Sequence, residues 1–64
     1  MKTYKMQIIW AGEKEWKPYG RLPWDDLGEA IISAETSLEN DRMYHGHIDK
    51  IRILDDKGKV AWPR

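Results

Sequence analysis

His47-Ile48-Asp49-Lys50-Ile51-Arg52-Ile53-Leu54, then Asp55-Asp56-Lys57-Gly58, then Lys59-Val60-Ala61-Trp62, reads as a strand, a turn and a return strand. Ile51 and Ile53 alternate with Lys50 and Arg52, which is the period of a half-buried strand. Gly58 takes positive φ at low steric cost, as a short bulged hairpin turn requires. The alternation turns Ile51 and Ile53 toward a core, with Val60 and Trp62 from the return strand. It turns Ile48, Lys50, Arg52 and Leu54 the other way.

Upstream of this hairpin the period changes. Leu27, Ala30, Ile31, Ala34 and Leu38 recur at spacings of three and four, which places them on one face of a helix. Asp26 and Glu29 form a D-x-x-E start close to a capping box, and Asp25 and Asp26 suit the positive end of the helix dipole. The same reading ends the helix near Glu39-Asn40-Asp41, with Asn40 as a left-handed cap.

Before the helix, Tyr4, Met6, Ile8 and Trp10 alternate with Lys5, Gln7, Ile9 and Ala11, a first strand. Glu15 to Tyr19 predicts a short partner for it, held to a sheet edge by Pro18, which has no ladder donor. The order is β-β-α-β-β. One helix packed on a three- to four-stranded antiparallel sheet is an α+β two-layer fold, and residues 1–64 form a single domain.

A chain of 64 residues buries only about 60% of its unfolded surface. It has no cysteine, so disulfides and thiolate metal sites are excluded. Four Trp and three Tyr supply the burial a small core otherwise lacks. The first residues carry no long apolar run, and no stretch approaches a bilayer span. The expectation is a soluble, cytoplasmic protein with no membrane contact and no cofactor, monomer or homodimer.

Eleven acids and eleven bases balance, but unevenly. From Trp24 to Asp41 there are six acids (Asp25, Asp26, Glu29, Glu35, Glu39, Asp41) and no Lys or Arg. An acidic helix beside a more basic sheet bears on partners rather than on fold.

Trp16, the Leu27-Gly28-Glu29-Ala30 helix start and the Ile51 to Trp62 segment, which ends in Asp-x-x-Gly-Lys-Val-x-Trp, span most of the chain. This pattern resembles that of small uncharacterised prokaryotic and phage α+β accessory proteins. Small inhibitors of bacterial defence, such as anti-CRISPR proteins, share its size and compactness. The resemblance implies a binding protein rather than an enzyme, and it carries no catalytic residue over.

No catalytic constellation stands out. Ser33 and Ser37 lie within the helix, and the two histidines share one segment. So short a fold is also expected to have little room for a pocket of the usual ~300 Å³ or more. His45, His47 and Asp49 have strand spacing for a shared metal, but no fourth ligand is nominated, so a polar loop is the plainer expectation. Two surfaces remain. The acidic helix face, with Asp25, Asp26, Glu29, Glu35 and Glu39 and the aromatics Trp24 and Tyr19, suits a protein partner, and Tyr44 is a further candidate anchor. The open sheet face, with Lys5, Lys50, Arg52 and Lys59, suits single-stranded nucleic acid as the alternative. Against that alternative stand a neutral total charge and an expectation that the aromatics mostly lie on the core side.

Overall fold

The computed structural model describes residues 2–20, 23–44 and 46–63. Strand β1 spans Lys5–Trp10, β2 Lys17–Pro18, helix α1 Leu27–Tyr44, β3 Ile48–Leu54 and β4 Val60–Trp62. They form one antiparallel sheet in the order β2-β1-β3-β4, with α1 between β2 and β3 in the chain. This is the expected α+β arrangement. The two long strands, β1 and β3, lie at the centre, where their apolar positions gain most from burial. The Pro18 strand sits at an edge.

Alternation on β1 and β3 builds the core. Met6 pairs with Ile53 and Ile8 with Ile51, so all four point to the same side. Met6, Ile8 and Ile53 are fully buried, each worth about 1.5–3 kcal/mol over the exposed side chain. Ala30 and Ala34, four residues apart on α1, are also wholly buried and join Met6, Ile51 and Ile53 in one cluster. A methyl group at both positions lets the helix backbone sit close on the sheet. Tyr4, Tyr19, Trp24, Leu27, Ile31, Leu38 and Trp62 pack around this cluster, each partly buried.

The helix starts as expected. The Asp26 carbonyl accepts the Ala30 N–H at 3.1 Å, and Asp26 Oδ1 accepts the Gly28 N–H at 2.8 Å. That makes Asp26 the N-cap. Gly28 suits the tight approach of this carboxylate, since a Cβ there would lie 3.3 Å from Asp26 Oδ1.

Its end does not follow the sequence expectation. The helix continues past Asn40 to Tyr44, and among the described residues no non-glycine residue has positive φ. Gly46, at φ 69°, takes the left-handed position and donates its N–H to the Asp41 carbonyl. The physical reason is Asp41, which extends the buried stripe of the helix and is only 8% exposed. Its carboxylate accepts the N–H groups of His47 at 3.0 Å and Ile48 at 2.8 Å. The last helical turn thereby ties the helix end to the start of β3.

Two bulges reassign side chains. Ile53 pairs with Trp62 but Leu54 with Val60, so Ala61 is an extra residue. Trp62 keeps its inward aim, whereas Val60 shares the outer side with Leu54 and is 51% exposed. This corrects the inward assignment of Val60. On β3, Ile9 pairs with Lys50 but Trp10 with Ile48, leaving Asp49 as the extra residue. Ile48 therefore turns with Trp10 toward the helix side, against the expectation that it faces away. The β3–β4 turn is held by Asp55, whose Oδ1 accepts the N–H groups of Lys57 and Lys59, each at 2.9 Å. Gly58 there has φ 82°.

Candidate functional site

The residues expected to bind a partner fall into separate places. Asp25 and Asp26 lie at the helix start, both exposed, with Asp26 engaged as the cap. Glu29 follows in the first turn, exposed. Glu35 and Glu39 stand on another flank, where with Leu38, Arg42 and Trp62 they line a depression of about 360 Å³. Among the described residues, none of Asp25, Glu29, Glu35 and Glu39 makes an ion pair. The pair that is present joins Lys17 to Glu13 at 2.7 Å, and it lies in the β1–β2 connection. The Glu13 hydrogen bond and charge hold the Lys17 ammonium above its ordinary value.

The two aromatics assigned to that face are packing residues. Trp24 exchanges backbone hydrogen bonds with Tyr4, at 2.7 and 2.9 Å, and its ring packs against the core. Its Nε1 is buried without a hydrogen-bond partner among the described residues. Tyr19 sets its ring edge-on against Trp10, with centroids 5.9 Å apart and planes at 78°. Neither stands out from the surface as an anchor. Tyr44 does, at 71% exposure. Ile32 and Met43, outside the buried stripe, are each 64% exposed. They lie three turns apart on one side of the helix, at 100° per residue. A helical wheel would have isolated Ile32, because it falls opposite Ala30 and Ala34. The continuation to Met43 was hidden by the expected stop at Asn40.

On the open sheet face, Lys5, Lys50 and Arg52 share the outer side of β1 and β3, while Lys59 lies in the hairpin turn. Arg52 is engaged inside the protein. Its Nε donates to Gln7 Oε1 at 2.9 Å, and its guanidinium carbon stands 4.1 Å over the Trp16 ring centroid. That stack puts one aromatic on this face, while Tyr4, Tyr19, Trp24 and Trp62 pack against the core. Trp16 is there, but one face of its ring is taken by a cation. Ile9, also directed outward, is only 8% exposed. Short-strand alternation offered a signal, since Trp16 and Tyr19 must take opposite faces of a strand that holds Lys17 and Pro18.

Trp16 also opens onto a groove of about 430 Å³, together with Leu38, Lys50, Ile51, Val60 and Trp62. The expectation that so short a fold has little room for a pocket is corrected by this groove. It arises because β4 is short, so the sheet ends early beside Trp62. His45 lies outside the described residues, so its grouping with His47 and Asp49 is not placed. The backbone N–H of His47 is bonded to Asp41, and Asp49 is the bulged residue of β3. Among the described residues, no helix is long and apolar enough to cross a membrane.

Comparison with family models, curated proteins and solved structures finds no match to this chain.

Proposed function

We propose that this chain is a non-enzymatic binding protein that engages a protein partner through the outward side of its helix. The observation that carries this reading is a difference between the two charged surfaces. The helix acids Glu29, Glu35 and Glu39 are exposed and make no ion pair among the described residues. They stand beside Ile32 and Met43, large apolar side chains left 64% exposed. Apolar anchors within a charged surround are the usual make-up of a protein interface. The central base of the sheet face, Arg52, is instead occupied by Gln7 and Trp16. The resemblance noted above adds a context, a small phage-encoded inhibitor of a host defence system acting in the cytoplasm.

The test is capture of partners from host lysate with tagged protein, with and without nuclease. The wild type is compared with a Glu35→Lys, Glu39→Lys variant and with an Ile32→Ser, Met43→Ser variant. A protein retained after nuclease and lost with both variants supports the reading. Material lost with nuclease and unaffected by either variant refutes it, and moves the function to nucleic acid at Lys5, Lys50, Arg52 and Lys59.

A further inference from the structure

The neighbours of β3 cover it unequally. β1 pairs along it from Ile48 to Leu54, whereas β4 pairs only with Ile53 and Leu54. Among the described residues, no strand is bonded to the other edge of β3 from Asp49 to Ile51, while Pro63, next after β4, comes opposite Arg52 and joins the groove lining. An uncovered strand edge is a template for a further strand. This edge also forms the floor of the 430 Å³ groove, which Asp49, Lys50, Ile51 and Arg52 all line. The groove opens to both faces of the sheet. On the helix side it is walled by Leu38 and Trp62, and on the outer side by Trp16 with Lys50 and Arg52.

We propose that this edge binds an extended segment of another protein in which apolar and acidic residues alternate. A strand added to a sheet sends successive side chains to opposite faces. One set would enter the apolar side between Leu38 and Trp62. The other set would lie along Lys50, which is exposed and makes no ion pair among the described residues, while Arg52 stays with Gln7 and Trp16. Glu35 and Glu39, beside Leu38 and Trp62, repel an acidic residue aimed at the wrong face. The charges therefore set which face of the segment goes where. A second copy of this chain fits less well. Pairing β3 on itself with both helices on one side opposes Lys50 to Lys50, Asp49 to Asp49 or Lys50 to Arg52, depending on register. Like charges directly opposite destabilise a strand pair.

This surface shares Glu35 and Glu39 at its rim with the outward side of the helix but not Ile32 or Met43, and the inference does not rest on binding there. The test uses the whole isotope-labelled protein and a synthetic peptide alternating valine and glutamate, followed by amide and indole chemical shifts. The expected result is movement of the Asp49 to Arg52 amides and of the Trp16 and Trp62 indole N–H groups. Methylating alternate peptide nitrogens on the edge-facing side should weaken binding at least about tenfold, because strand addition depends on main-chain bonds. Lys50→Glu should weaken it by a similar factor, about tenfold, and a valine–lysine peptide should recover binding to that variant. Ile32→Ser with Met43→Ser should leave the peptide affinity unchanged. Three outcomes overturn the proposal. One is no shift up to about 1 mM peptide. Another is shifts centred on Ile32 and Met43. The third is a protein that sediments as a dimer and becomes monomeric on Lys50→Glu, which would give the edge to a second copy.

Discussion

Replacing Asp41 with alanine should be among the most damaging single changes in this chain, although Asp41 belongs to an acidic helix whose other acids are exposed. Asp41 is 8% exposed, and its carboxylate accepts two backbone N–H groups, from His47 and Ile48. Hydrogen bonds to a charged acceptor contribute roughly 1.5–3 kcal/mol each, and a donor left unsatisfied in a buried place costs about 1–3 kcal/mol. The site is only partly buried around these donors, and alanine also relieves the desolvation of the carboxylate. Low-end values therefore apply, and the expected loss is about 3 kcal/mol. A domain of this length holds roughly 3–10 kcal/mol in all, so the variant should stand near the limit of folding. The corresponding fall in melting temperature is roughly 12–24 °C. Asp41→Asn keeps one acceptor oxygen but turns an amide N–H toward the second donor, so it should recover no more than about half of the loss. Urea and thermal unfolding followed by tryptophan fluorescence measure this, with Glu39→Ala as the exposed control. If Asp41→Ala costs less than about 0.5 kcal/mol, the surface value, or no more than Glu39→Ala, then the link between helix end and β3 does not matter and the argument fails.

Three further outcomes are expected. A double-mutant cycle on Trp16→Ala and Arg52→Ala should show a coupling of about 0.5–1 kcal/mol for the half-exposed stack, measured by urea unfolding, and a coupling indistinguishable from zero would dismiss it. The Asp55 carboxyl is held below its ordinary value of 3.8, chiefly by the Lys59 N–H and further by the Lys57 N–H. The stabilisation it provides should be complete above that ordinary value and lost as pH falls through the lowered folded value. The melting-temperature gap between wild type and Asp55→Asn should accordingly hold at neutral pH and close in acid, and a gap independent of pH would contradict this. Trp24→Phe should cost less than about 1 kcal/mol, because the lost ring area is offset by removal of an unpartnered buried donor, whereas a loss of about 3 kcal/mol in thermal unfolding would mean that the indole N–H is satisfied.

These surfaces give the molecule a division between a bonded interior and two places where bonding is incomplete. Asp26, Asp41 and Asp55 are all acids, yet each uses its side chain to close backbone donors. They hold the helix start, the helix end and the last turn. Among the described residues, Glu29, Glu35 and Glu39 have no such duty. A partner that reads the helix by charge would meet these glutamates, and substitutions there should change association rate and salt dependence more than stability.

Local pattern alone determined the element order, the N-cap at Asp26, the hairpin turn at Asp55 to Gly58 and the inward residues Met6, Ile8, Ala30, Ala34, Ile51 and Ile53. These follow from period and from backbone chemistry within a few residues, so no distant part of the chain was needed to see them. The tertiary structure decided what depends on pairing between distant segments. The bulge at Ala61 moved Val60 to the outer side, and the bulge at Asp49 moved Ile48 to the inner one, because a one-residue offset against a neighbouring strand reverses every face beyond it. The helix ran on to Tyr44 because Asp41 found donors on β3, a gain invisible to any window that stops at the helix. Arg52 lost its freedom to Trp16 and Gln7, residues far from it in the chain that the sheet brings together. The groove exists for the same reason, since it is the space left where one strand outlasts its neighbour.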